Sequence, residues 1–137
     1  MYASRNLPEV VRFSQEATEY AVKSALKLVE IEYPKRHDPS EALREGKSRF
    51  PKWFRVSIES TARLARDLAR NRELAVYGDE RLAKTPEEIF SDSSRVAAWL
   101  SDARRVVGNS QRLYKEVVRS KATRPALNGK LRRARPR

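Results

Sequence analysis

The residues best suited to chemistry fall together in one stretch, Arg70-Asn71-Arg72-Glu73-Leu74-Ala75-Val76-Tyr77-Gly78-Asp79-Glu80. The guanidinium groups of Arg70 and Arg72 can hold a phosphate through paired N–H donors. Asn71, Tyr77 and Asp79 add hydrogen-bonding groups beside them. The stretch holds no imidazole and no thiol. The whole chain has one histidine, His37, and no cysteine. That excludes disulfides, thiolate zinc sites, cysteine nucleophiles and any scheme built on two imidazoles. Four glycines form neither GxGxxG nor GxxxxGK[ST], so no phosphate-cradling loop is expected. We therefore expect no metal and no cofactor.

These residues must be held by helices, because apolar residues recur every three or four positions. At 137 residues the chain suits one domain with a core of three or four helices. Pro8 and Glu9 read as a helix start, followed by a stripe of Val10, Phe13, Ala17, Tyr20, Ala21, Ala25 and Leu28, widened by Val22, Leu26 and Val29. This helix should run to about Glu32 and stop before Pro34. Asp38-Pro39 with Glu41 caps a short helix to about Glu45, and His37 before it reads as a structural hydrogen-bonding residue.

Pro51 should start the next helix, with Phe54, Ile58, Thr61, Ala65 and Leu68 facing the core and Leu64 on the flank. At about 100° per residue, Arg72 falls on that apolar line while Arg63, Arg66, Arg70 and Tyr77 fall opposite. Arg63 and Arg66 read as a solvated face. Gly78 and Asp79 end the helix. Thr85-Pro86-Glu87-Glu88 caps a helical turn anchored by Ile89 and Phe90. Ser91-Asp92-Ser93-Ser94 then caps a last long helix with the stripe Val96, Trp99, Leu100, Ala103, Val106, Val107, Ser110, Tyr114, Val117 and Val118, ending near Lys121. The fold class is all-α: an up-and-down bundle of three to four main helices plus short ones. Wide stripes on so few helices leave apolar surface for a second copy, so a homodimer is expected.

The net charge is +12, carried mainly by arginine. The domain should span 1–121, and 122–137 should form a basic tail. That tail holds Arg124, Lys130, Arg132, Arg133, Arg135 and Arg137 with no acid, and on composition it orders only when bound. An anionic partner fits this balance, RNA above all. Surface ion-pair networks of an arginine-rich or thermophilic protein are the alternative. No apolar run is long enough to span a membrane and the N-terminus lacks a signal-peptide core, so a cytoplasmic protein is expected.

Four segments together resemble the HEPN family (higher eukaryotes and prokaryotes nucleotide-binding). They are Phe13-Ser14-Gln15-Glu16-Ala17 through Ala25-Leu26-Lys27-Leu28, Glu32-Tyr33-Pro34-Lys35-Arg36-His37-Asp38, Arg72 to Glu80, and Pro86-Glu87-Glu88 with Asp92 before the last helix. The resemblance covers about residues 8 to 120. It implies an all-α bundle that usually dimerises, with a polar site where the long helices of two copies meet. Many members are metal-independent ribonucleases, often toxins, whose motif places a histidine four to six residues after an arginine. Arg70 and Asn71 match the opening of the form Arg-Asn-x-x-x-His-x-Tyr and Tyr77 its end, but Ala75 stands at the histidine. Counted from Arg72, Tyr77 takes that place.

Cleavage through a 2′-hydroxyl needs a group that exchanges protons near neutral pH, and a methyl cannot. A phenol with an ordinary pKa near 10 is a poor substitute. The expectation is a dimeric protein that holds a nucleotide or RNA through Arg70, Asn71, Arg72, Tyr77 and Asp79 without efficient catalysis. One alternative is a ribonuclease using Arg72 and Tyr77. Another is a subunit that binds a minimal nucleotidyltransferase or an RNA–protein assembly.

Overall fold

The computed structural model describes residues 6–35 and 38–134, with side chains up to residue 122. His37, Arg135 and Arg137 therefore lie outside the described residues. Among the described residues, six α-helices follow in order: α1 (Leu7–Leu28), α2 (Pro39–Glu45), α3 (Lys52–Arg55), α4 (Ile58–Tyr77), α5 (Pro86–Ile89) and α6 (Ser93–Ala134). A single 3₁₀ turn, Lys47–Arg49, precedes α3. The fold is all-α, as the periodicity predicts. Among the described residues no helix is long and apolar enough to cross a membrane.

The helix starts rest on local hydrogen bonds legible in the sequence. Asp38 accepts from the Ser40 amide at 3.0 Å. Thr85 and Glu88 form a reciprocal capping box at α5. Asp92 accepts from the Ser94 hydroxyl and amide and from the Arg95 amide. The Ser94 hydroxyl first, and the Arg95 amide second, hold the Asp92 carboxyl below its ordinary pKa. α1 ends at Leu28, four residues before the expected stop at Glu32. Glu30 adopts a left-handed φ of 59°, its amide bonds Lys27 O and the Ile31 amide bonds Leu26 O. This is the Schellman pattern, which satisfies the orphan carbonyls of a helix end. Arg49 adds donors to Val29 O at 3.2 Å and Glu30 O at 2.9 Å, holding a conformation that a non-glycine residue rarely adopts.

The long helices run up and down around one core with two lobes. α1 packs against both α4 and α6. Leu7 and Val11 meet Leu68, Ala75, Phe90, Val96 and Trp99 at one end. Val22, Ala25 and Leu26 meet Phe50, Phe54, Ile58 and Leu113 at the other. α1 is thus antiparallel to α4 and parallel to α6. Phe50 stacks on Phe54 with centroids 4.5 Å apart, and Phe90 meets Trp99 edge-on. Each large side chain buried this way contributes about 2 kcal/mol of transfer free energy.

Four expectations need correction. First, the helix expected from Pro51 to Tyr77 is broken by a turn at Val56 and Ser57. The Ser57 side chain donates to Phe54 O there, competing with a continuous ladder. Second, the buried face of α1 runs through Val11, Ser14, Gln15, Thr18, Ala21 and Val22, whereas Phe13, Ala17 and Tyr20 are exposed. α1 lies between two helices, and the side toward α2 and α4 is lined by small polar residues that a hydropathy reading discounts.

Third, Tyr114 and Val118 on α6 are exposed, and Leu113, outside the expected stripe, is fully buried. Fourth, α6 continues to Ala134 instead of ending near Lys121. Pro125 removes one amide from the ladder, but the surrounding alanines, leucines, lysines and arginines are good helix formers, and the helix runs through it.

Candidate functional site

The candidate residues occupy the last two turns of α4 and the turn after it. Arg70 and Tyr77 share the outward face, seven residues apart, and both are exposed; Tyr77 is 76% exposed. Arg72 is also exposed, although the 100° projection put it on the apolar line. The buried residues of α4 run Thr61, Leu68 and Ala75, one heptad apart. A stripe of that period drifts around a straight helix, so Asn71 takes the half-buried place. Asn71 Nδ2 donates back to Asp67 O at 2.7 Å. The structure therefore brings Arg70 and Tyr77 to one line, places Asn71 at its edge and sends Arg72 to another side of the helix.

The end of α4 is fixed by backbone geometry. Gly78 has φ 74° and ψ −165°, a conformation essentially restricted to glycine. A Cβ there would stand 2.3 Å from Lys84 O. Asp79 pairs with Lys84 through both backbone bonds, at 2.9 and 3.0 Å. Its carboxylate accepts from the Arg81 amide at 3.0 Å and the Leu82 amide at 3.2 Å. Asp79 thus shapes a turn, and its Oδ1 is engaged by the backbone rather than presented to a ligand.

The electrostatic setting separates the arginines of this face. Arg66 Nη2 meets Glu41 Oε1 at 2.7 Å, so it is part of an ion pair and not merely solvated. Arg44 bonds Glu59 at 3.2 Å and also Glu41. Partial burial works against the Arg44 charge, but Glu59 and Glu41 outweigh it and hold the guanidinium pKa above its ordinary value. Arg70 and Arg72 form no ion pair with any described residue. What they offer is unneutralised N–H donors, suited to a phosphate.

Ala75 is 7% exposed and belongs to the core. The position that would carry a histidine in the motif therefore packs against the core and also lines a shallow cleft of about 290 Å³ with Asn6, Pro8, Glu9, Arg12, Val76 and Pro86 among others. No group of histidine, cysteine, aspartate and glutamate among the described residues is arranged to hold a metal ion.

Two features escaped the sequence reading. Ser14, Gln15, Thr18 and Ser40 carry buried polar atoms without hydrogen-bond partners. A small cavity of about 60 Å³, lined by Gln15, Glu19, Asp38, Ser40, Ala65 and Ala69, lies beside them. Gln15 and Asp38 were visible as motif residues, but only the fold brings them together. The second feature is an apolar groove of about 780 Å³ between α1 and α6, lined by Ala17, Tyr20, Leu28, Val107, Tyr114 and Lys121 among others. Its signal was present in the sequence as apolar residues, which were counted toward the core instead.

An antiparallel all-α bundle with a cationic face at the end of its second long helix defines the class. Residues 1–116 match the HEPN domain family, and the chain belongs to that family. Membership ties it in general terms to nucleotide- and RNA-related function. No curated relative and no solved structure matches the chain.

Proposed function

We propose that this chain is a homodimeric HEPN protein that binds a nucleotide or RNA through Arg70 and Tyr77, with Asn71 at their edge and Arg72 adding charge from another side of α4, without efficient catalysis. The observation that carries the reading is the contrast within one helix. Arg66 is neutralised by Glu41, whereas Arg70 and Arg72 stay exposed with no carboxylate among the described residues. Exposed, unpaired guanidiniums attract phosphate, and Tyr77 adds an aromatic face and a hydroxyl. The absence of catalysis rests on Ala75. Its methyl exchanges no proton, and it stands about 140° around α4 from Arg70.

The apolar groove between α1 and α6 supports the dimer. Tyr20, Tyr114 and Val118 are large and exposed, which fits the aromatic enrichment of interface cores. A basic tail over 122–137 adds sequence-independent affinity in this reading.

Binding of a labelled tRNA and of mononucleotides tests the site. Arg70→Gln with Arg72→Gln should weaken both about tenfold, with no cleavage product from wild type. Unchanged binding by the double variant would sink the site, and cleavage by purified wild type would sink the non-catalytic reading. Tyr114→Lys should turn a dimer into a monomer by sedimentation; a wild-type monomer would remove the dimer.

A further inference from the structure

The charge is not spread over the fold. Residues 1–92 hold seventeen basic and sixteen acidic side chains, whereas residues 93–137 hold thirteen basic and two acidic. Nearly all of the net +12 therefore belongs to α6 and the three residues after it.

Within the part of α6 whose side chains are described, the basic residues are not scattered. Arg104, Arg105, Arg112, Lys115 and Arg119 fall within an arc of about 100° on a helical projection, opposite the buried Val106 and Leu113. All five are exposed. They form a row about 22 Å long at the helical rise. The two acids of this helix lie at its edge and are engaged. Asp102 meets Arg105 at 3.1 Å. Glu116 accepts from Trp53 Nε1 at 3.1 Å and meets Arg112 at 3.5 Å. Arg112 is stacked 3.9 Å over the Trp53 ring, which fixes its guanidinium on the body of the fold.

Gly108 stands in the middle of the row. It is exposed and helical, and a Cβ there would meet nothing within 4 Å. No described residue comes close enough to require glycine at that point, although glycine weakens a helix relative to alanine. Its remaining use is to let another molecule's backbone approach the helix closely.

We propose that this face of α6 is a docking surface for the phosphate backbone of double-helical RNA. A straight row of cations matches a polyanion by charge. The row itself presents no exposed aromatic, whereas single-strand binders stack bases on aromatic side chains. Backbone contact without base stacking suits a duplex read by shape and phosphate. The choice of RNA over DNA rests on the nucleotide- or RNA-binding reading of the Arg70 site; the position and charge of the surface do not. The apolar groove that holds Tyr114 lies on the neighbouring flank of α6.

The test uses the full chain and the anisotropy of a labelled 20-base-pair RNA duplex, a DNA duplex of the same sequence and a single-stranded RNA. The RNA duplex should bind most tightly, with affinity falling as salt rises at a log–log slope of at least about −4. Arg104→Gln with Lys115→Gln should weaken it about tenfold and flatten the slope by about two. Lys47→Gln with Lys84→Gln, which removes the same charge elsewhere, should stay within about twofold.

Gly108→Gln should weaken binding severalfold while holding or slightly raising the melting temperature, because the space around it is open and glutamine favours a helix over glycine. Duplex binding lost in the Arg104 and Lys115 variant but kept in Arg70→Gln with Arg72→Gln would support the surface even if the Arg70 site fails. Wild-type binding by the Arg104 and Lys115 variant would overturn it. Equal or tighter binding of the DNA duplex or the single strand would also overturn it.

Discussion

Arg66 and Arg70 stand one turn apart on α4 and meet different surroundings. In the first half of α4, Glu41 of α2 takes Arg66 as well as its own neighbour Arg44, and Glu59 takes Arg44 again, while Arg63 stays exposed. Toward its end, Arg70 and Arg72 stand just before Glu73 in sequence and still form no ion pair with any described residue. Spacing alone does not explain this, since Arg70 and Glu73 are three residues apart and could meet on a helix surface. What differs is the neighbouring element. α2 brings Glu41 within reach of Arg66, and no described carboxylate pairs with Arg70 or Arg72. Residue type shows where phosphate could bind; the partner supplied by another helix decides whether the charge is still available.

That comparison depends on the end of α4 being as firmly built as its start. The largest expected effect tests this. Gly78→Ala should cost about 3 kcal/mol, combining a glycine-only conformation with a Cβ set against the Lys84 carbonyl. Urea unfolding measures it. A loss below about 1 kcal/mol would mean that the turn adapts, and the fixed geometry argued for Arg70 and Tyr77 would fall with it.

Ala75→His comes next. Restoring the motif's histidine should not restore a nuclease, because position 75 packs with Leu68 and Phe90 and stands about 140° around α4 from Arg70. It should cost about 2 kcal/mol through overpacking and burial of a polar ring. RNA cleavage by this variant, absent from wild type, would show that position 75 reaches the ligand after all.

What could be read from the sequence divides along the same line. The caps at Asp38, Thr85 and Asp92 were legible because capping joins residues two or three apart. The shared outward face of Arg70 and Tyr77 was legible because helical geometry fixes it. Family membership followed from the order of four weak segments. The rotation of α1 was not legible, since Ser14 and Thr18 are buried while Phe13 and Tyr20 are exposed, against their hydropathy. The break at Val56 and Ser57 carries no proline or glycine to announce it. The Arg66–Glu41 pair joins residues 25 apart in sequence, and only tertiary packing creates it. For the same reason the exposure of Arg72 could not be projected from a helix assumed to be continuous from Pro51.

The smallest effects on stability separate the two ends of α4 most directly. Arg66→Gln should cost about 0.5 kcal/mol, the usual worth of a partly exposed ion pair. Raising the salt concentration should shrink that cost, because screening weakens the pair in wild type. Arg70→Gln should leave stability within about 0.3 kcal/mol at any salt concentration, having no described carboxylate to lose. The two variants remove the same charge from the same helix, so differences in net charge or helix propensity cancel between them. Comparing urea midpoints at low and high salt isolates the contribution of Glu41. Equal losses with the same salt dependence would mean that Arg70 has found an acidic partner of its own, and its guanidinium would then not be free for phosphate.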